Sequence, residues 1–266
     1  MSAQDSEPAR VIFIGAGPGA ADLITVRGAR RLAWAEVVLF DALTDPALRE
    51  LAPQARWVDV GKRGFGHATG QAAINVMLLH EAQTHQRVVR LKGGDPSIFG
   101  RLEEELDLLH AHGIACEVVP GVTSALAAAA QGQRPLTRRG VGRSVSLTTA
   151  MTQLGILQAT RTADTEVFYM AGRQLPALSA KLLQAGWPAD TPVCVVSRAG
   201  WPDARISQHS VASLADAAQT HAERPAVVTV GAGGAPLPAL AGRPAPLAGM
   251  TPRFERHPAG QTATPD

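Results

Sequence analysis

Four short apolar runs near the start of this chain each stop at a cluster that a plain turn does not need. Val11-Ile-Phe-Ile14 runs straight into Gly15-Ala-Gly-Pro-Gly19, and Val37-Val-Leu-Phe40 stops at Asp41. Trp57-Val-Asp-Val60 ends in Gly61-Lys-Arg63, and Val88-Val-Arg-Leu91 ends in Lys92-Gly-Gly-Asp-Pro96. Short apolar runs bounded by glycine and proline read as buried strands. Helical periodicity lies between them, over Leu23 to Ala35, Ala47 to Leu51, Gln71 to Thr84 and Glu103 to His112, and a fifth strand is predicted at Cys116 to Val119. Such alternation is the signature of an α/β layer with a largely parallel sheet. Ligands of open parallel sheets bind beyond the carboxyl ends of the strands, so the four clusters fall on one rim.

The texture repeats less cleanly after an Ala125–Ala130 helix, with strands expected at Ser144 to Thr148, Glu166 to Met170, Val193 to Val196 and Ala226 to Val230. A helix from Ala177 to Ala185 lies between the second and third of these. We therefore expect an N-terminal α/β domain over 11–122 and a C-terminal one over 123–242. Tails are expected at 1–10 and at 243–266. From Gly231 onward the chain holds seven of its nineteen prolines, which favours disorder there.

Composition excludes several classes. The net charge of +2 lacks the basic excess of a nucleic-acid binder, and eleven aromatics are too few for a stacking platform. Cys116 and Cys194 make neither a disulfide framework nor a zinc site and read as small buried hydrophobes of a reducing compartment. His110 and His112, two apart on a helix, do not share a face, and no metal is expected. The longest alanine-rich stretch falls far short of the ~20 apolar residues of a membrane span. With no targeting pattern before Val11, the expected location is the cytoplasm.

The first rim cluster admits a dinucleotide reading. Gly15-x-Gly17-x-x-Ala20 follows a strand and precedes a helix, as a phosphate-binding turn would, and Asp41 would then hold a ribose. Against it, Pro18 removes a backbone donor, and Asp41 lies further along than the ~20 residues expected.

The fourth cluster is longer and more specific. Arg90-Leu-Lys-Gly-Gly-Asp-Pro96 is followed by Ser97-Ile-Phe-Gly-Arg101. Together with Gly15-Ala-Gly-Pro-Gly19, Val60-Gly-Lys-Arg63, Val119-Pro-Gly-Val-Thr123 and Pro135-Leu-Thr137, it closely resembles the tetrapyrrole methylase family. Phe168-Tyr-Met170 and Pro192-Val-Cys-Val-Val-Ser-Arg-Ala199 extend the likeness in order to about Leu240. Within that family the Gly-Lys-Arg and Leu-Lys-Gly-Gly-Asp-Pro motifs are similar to those of the members acting on uroporphyrinogen III. The resemblance implies two α/β domains with S-adenosyl-L-methionine in the cleft between them, S-adenosyl-L-homocysteine as product, and no metal. Carried over motif by motif, the cofactor contacts are Pro18, Gly93, Gly94, Asp95, Ile98, Thr123, Ser124, Met170 and Ala199. Asp41 takes the role of proton acceptor and Lys62 that of proton donor or carboxylate guide. Arg63, Arg101, Arg138 and Arg139, with Arg143, form the implied set for the substrate's carboxylates. The implied reaction is two C-methylations that convert uroporphyrinogen III to precorrin-2 through precorrin-1, by a homodimer serving siroheme or cobalamin biosynthesis.

Four departures keep other readings open. Ala20-Ala21 stands where the family usually has Asp-Pro, and Arg101-Leu-Glu-Glu-Glu105 where it has Arg-Gly-Gly-Glu-Glu. Leu136-Thr-Arg-Arg139 replaces Leu-Thr-His-Arg, and Thr149-Ala-Met151 replaces Thr-Gly-His. These changes touch the substrate side more than the cofactor side. The alternatives are a methylase of a later precorrin or cobalt-precorrin, a nicotinamide-dependent oxidoreductase built on the first loop, and a cofactor-binding module without turnover.

Overall fold

Five strands, β1 (Val11–Gly15), β2 (Val37–Phe40), β3 (Arg56–Asp59), β4 (Val88–Lys92) and β5 (Cys116–Val119), form a parallel sheet in the order β3-β2-β4-β1-β5. The computed structural model describes residues 9–61, 70–150 and 156–237. Register is set at the sheet centre, where Val11 lies opposite both Val88 and Cys116. Side chains of β1 alternate between two cores, as the twofold strand period requires. Val11 and Phe13 pack with Leu78 of α2 (Gln71–Thr84) and Leu109 of α3 (Leu102–Ala111). Ile12 and Ile14 pack on the opposite face with Leu32 of α1 (Val26–Leu32). All five residues of β1 are buried because both faces are covered.

The second sheet has the order β6-β7-β10-β8-β9. Its strands are β6 (Val145–Thr149), β7 (Thr165–Tyr169), β8 (Pro192–Ser197), β9 (Arg205–Ser210) and β10 (Ala226–Gly231). One face packs Phe168, Val195 and Val228 against Leu175, Leu178 and Leu182 of α5 (Leu175–Gln184). The other packs Val167, Cys194, Val196 and Val227 against Ala125 and Ala128 of α4 (Ser124–Gln131). Among the described residues, no helix is long and apolar enough to cross a membrane.

The parallel expectation holds for the first sheet and fails for most of the second. Only β6 and β7 pair in parallel there, and β10 runs antiparallel to β7 and β8, as does β9 to β8. β9 was not foreseen, because Arg-Ile-Ser-Gln-His-Ser is a polar edge strand with no apolar alternation to betray it. The single helix expected from Leu23 to Ala35 is instead a 3-10 turn at Ala21–Leu23 followed by α1. Ile24 is extended and the Thr25 hydroxyl accepts from Gly28 N–H at 3.0 Å, so the helix starts afresh at Thr25. Both cysteines are free, and burial raises both thiols, Cys116 to about 11, which favours the protonated thiol over the nucleophilic thiolate. Most of the expected tails lies outside the described residues.

His221, at the end of the short helix α6 (Ala218–His221), is fully buried. Its two ring nitrogens lie 2.8 Å from the hydroxyls of Ser197 and Ser207, which satisfy a neutral imidazole. Burial, helped by His209, Arg224 and Arg205, pushes its pKa down to about 4 from 6.5. The folded state therefore binds this proton less readily than the unfolded state. Stability should be intact above pH 6.5 and should fall as pH drops through the window toward 4. Urea midpoints at pH 7 and pH 5 check this: the drop should be smaller in His221→Asn than in the wild type.

Candidate functional site

A cleft of about 710 Å³ opens at the carboxyl rim of the parallel sheet and is closed on its other side by loops of the second sheet. Its floor is made where three backbones cross. A Cβ on Gly15 would lie 2.5 Å from Gly121 Cα, and one on Gly121 would lie 2.2 Å from the Gly94 carbonyl oxygen. Only glycine permits that approach. Gly17 and Gly94 exchange backbone hydrogen bonds at 3.2 and 2.7 Å. The Asp95 carboxylate fixes the same crossing by accepting from Ser97 N–H at 2.8 Å and from Gly121 N–H at 2.9 Å.

This geometry overturns the phosphate reading of the first loop. Ala16 N–H donates to Lys92 O, Gly17 N–H to Gly94 O, and Ala20 N–H to Gly200 O, while Ala21 N–H donates to the Asp45 carboxylate. Pro18 has no donor, and the loop leads into a 3-10 turn rather than an α-helix N-terminus. Four amide donors that could cradle a pyrophosphate are thus spent within the protein.

One wall of the cleft carries a buried ion network. Arg90 donates from Nη2 to Asp41 Oδ1 at 2.6 Å, from Nε to Glu105 Oε1 at 3.0 Å, and from Nη1 to the carbonyls of Leu91 at 3.2 Å and Leu39 at 3.4 Å. Lys92 Nζ donates to Glu105 Oε2 at 2.6 Å. Glu105 is wholly buried and Arg90 nearly so, whereas the Asp41 side chain is 32% exposed. Two cations face two carboxylates, so the set is neutral. Burial opposes the charge on Arg90, but Asp41 and Glu105 outweigh it and raise its pKa. Burial, with Arg90 adding repulsion, lowers that of Lys92 despite its bond to Glu105. Across the cleft the hydroxyls of Thr123 and Tyr169 lie 2.8 Å apart, and burial raises the Tyr169 phenol.

The nine residues Pro18, Gly93, Gly94, Asp95, Ile98, Thr123, Ser124, Met170 and Ala199 all line this cleft, as do Asp41 and Arg101. Lys62 and Arg63 lie outside the described residues. Arg138, Arg139 and Arg143 are not on the cleft. The Arg138 guanidinium is committed to the carbonyls of Ala235 and Pro236, and Arg139 and Arg143 are exposed elsewhere. Backbone strain gathers here as well. Among the described residues six that are not glycine have positive φ, and four of them, Phe99, Arg101, Met170 and Arg198, line the cleft. Such strain concentrates at functional sites.

A family model, Tetrapyrrole (Corrin/Porphyrin) Methylases, matches residues 10–215. The chain belongs to this family. It is 40% identical over 227 residues to the uroporphyrinogen-III C-methyltransferase of Pseudomonas aeruginosa, covering 84% of this chain and 93% of that protein. It is also 39% identical over 228 residues to the siroheme synthase of Psychrobacter cryohalolentis, covering 83% of this chain and 44% of that protein. The chain thus spans less than half the length of that longer relative. Among solved structures, uroporphyrin-III C-methyl transferase from Thermus thermophilus complexed with S-adenyl homocysteine superposes with a TM-score of 0.73 at 36% identity, covering 84% of this chain and 97% of that one. A cobalt precorrin-4 methyltransferase gives a TM-score of 0.74 at 31% identity, over 85% of this chain and 96% of that one. The fold is the two-domain α/β fold of these methyltransferases, and the chain is a tetrapyrrole methylase by family. Among the described residues no cluster of His, Cys, Asp or Glu is placed to hold a metal.

Sequence reading missed Arg90, Lys92 and Glu105 as parts of the site. A signal was present: Arg90 and Lys92 are two apart on a central strand, hence on one face, and cations buried in a sheet require partners. Glu105, in the first turns of α3, supplies the missing charge, but which acid does so depends on tertiary packing.

The glycines make separable predictions. A Cβ on Gly93 would meet only Leu43 Cβ, at 3.7 Å, so Gly93→Ala should change stability by no more than about 0.5 kcal/mol. Gly121→Ala forces backbone apart and should cost about 1–3 kcal/mol or more. Urea unfolding of both variants checks the contrast.

Proposed function

We propose that this protein transfers methyl groups from S-adenosyl-L-methionine to ring carbons of uroporphyrinogen III, giving precorrin-2 by two transfers through precorrin-1. The observation that carries this reading is the convergence of all nine motif-derived cofactor residues and Asp41 on one cleft. The relative from Pseudomonas aeruginosa, matched nearly end to end, supports the choice of acceptor over a later corrinoid.

The residues present fit the methyl donor. Gly93 leaves open space where a side chain would intrude, so main-chain groups there are approachable by the donor's amino-acid and ribose parts. Ile98 and Met170 offer apolar surface for an adenine, and the Thr123 and Ser124 hydroxyls offer polar contacts. When bound, S-adenosyl-L-methionine supplies an electrophilic methyl on a sulfonium and leaves as the neutral thioether S-adenosyl-L-homocysteine. Aligning a nucleophilic pyrrole carbon with that methyl is chiefly a positioning task for the cleft walls. Asp41 accepts the proton that the macrocycle gives up after the new carbon–carbon bond forms. Lys62 serves as donor or carboxylate guide, and Arg101 and Arg63 pair with the substrate's carboxylates. We place the boundary between the two domains at residues 122/123, because α4 packs on the second sheet, and assign the active species as a cytoplasmic homodimer.

Incubating the protein with uroporphyrinogen III and methyl-labelled S-adenosyl-L-methionine should place label in the tetrapyrrole, and Asp41→Asn should slow the transfer by about a hundredfold or more. No label in the tetrapyrrole would exclude this acceptor. S-adenosyl-L-homocysteine should raise the melting temperature and NAD should not, which separates the methylase from an oxidoreductase.

A further inference from the structure

Asp41 is the one member of the buried ion network that reaches the cleft with substantial exposure; Arg90, Lys92 and Glu105 are 3% exposed or less at their side chains. Burying charges is costly, and a buried ion network generally stabilises a fold no better than apolar packing of the same volume. Its geometry is specific in a way that apolar packing is not. Four acceptors hold the Arg90 guanidinium: Glu105 at Nε, the carbonyls of Leu39 and Leu91 at Nη1, and Asp41 at Nη2. The planar fork cannot rotate without losing several of these bonds at once. Lys92 in turn holds the second oxygen of Glu105, so the acid that orients Arg90 is itself fixed at both ends.

The consequence falls on Asp41. Its Oδ1 is tied to Arg90 at 2.6 Å, whereas among the described residues Oδ2 receives only a long 3.4 Å contact from Gly93 N–H. Oδ2 is the oxygen with lone pairs to spare. We infer that Arg90, held by Glu105 and Lys92, is a positioning residue that presents Asp41 Oδ2 to the reacting macrocycle. This rests on the reading of Asp41 as the proton acceptor. The relay carries no proton itself: Arg90 keeps its charge, and Glu105 stays engaged by both cations.

Arg90→Lys keeps the charge and loses the fork, and Glu105→Asp keeps the charge and loses reach. Each should lower kcat by about ten- to a hundredfold, the cost of a misplaced acceptor. The KM for the tetrapyrrole and the Kd for S-adenosyl-L-homocysteine should stay within about twofold of wild type, a split that general loosening of the fold would not give. Arg90→Lys combined with Asp41→Asn should be no slower than Asp41→Asn alone, because both changes remove the same contribution. Multiplying losses in the double variant, or wild-type kcat in both single variants, would overturn the inference. A crystal structure gives a reading independent of turnover. In Arg90→Lys, or in Glu105→Asp if the former does not fold, the Asp41 carboxylate should leave its place while Gly93 to Asp95 stay. An Asp41 that keeps its position in both variants refutes the positioning role. Failure of wild-type protein to label uroporphyrinogen III would refute the proposed reaction and leave the crystallographic result standing.

Discussion

The backbones of Gly15, Gly94 and Gly121 cross so closely that neither Gly15 nor Gly121 has room for a side chain, while Gly94 takes a positive φ of 70°, and the cleft depends on that crossing. β4 and β5 flank β1 in register, so the loops leaving their carboxyl ends must pass through one confined space. The paired amides of Gly17 and Gly94 and the Asp95 bond to Gly121 N–H lock the passage. Once it is locked, Gly93 faces open space and its N–H reaches Asp41, while the loop that follows carries Ile98, Phe99 and Arg101 to the cleft. The first glycine loop then meets Gly200 of the second sheet's loop through the Ala20 amide, which brings Met170 and Ala199 to the opposite wall. A cofactor-sized space thus follows from a steric condition at three strand ends.

How much of this was legible in the sequence varies with the physics behind each element. The parallel sheet was legible because its central strands are covered on both faces and therefore run continuously apolar, as in Val11 to Ile14. α2 was legible to the residue, since nothing interrupts it between Gly70 and His85. The antiparallel character of the second sheet was not, because a buried run such as Val193 to Val196 is equally compatible with either direction of its neighbours. β9 was hidden by its polar edge position, and the break at Thr25 by a cap that competes with helical periodicity on equal terms. At the site, the glycine and aspartate motifs pointed to the rim where the cleft opens, but their resemblance to a dinucleotide loop was only of spacing. Which amides remain free for a ligand is decided by partners as remote as Asp45 and Gly200. The arginines of the Leu136-to-Arg143 segment illustrate the same limit: a cation is a substrate contact only where the fold delivers it, and Arg138 is delivered to backbone carbonyls instead.

Charge within the cleft bears on how a polyanionic macrocycle would be held. The net charge of +2 says little about it, because binding depends on local groups. Among the described residues, the cations lining the cleft are Arg90, Lys92, Arg101 and Arg198, and every one of them has a carboxylate partner. The first two are buried and paired with Asp41 and Glu105, and they cannot give up those partners without stranding a buried charge. Arg101 and Arg198 differ, because Glu104 and Asp203 hold them at 2.7 and 2.8 Å in exposed pairs, and exposed pairs contribute little net stability. For the proposed substrate, these two arginines are therefore the ones that can change partners at small cost, trading an internal carboxylate for one on the macrocycle. Both are also among the residues held at positive φ, Arg101 at 53° and Arg198 at 51°, so the exchangeable cations share the backbone strain of the cleft with Phe99 and Met170, while its fixed cations sit on a regular strand. Under the proposed reaction the division separates two tasks, orientation of the acid by the buried pair and pairing with the ligand's carboxylates by the strained, exposed pair.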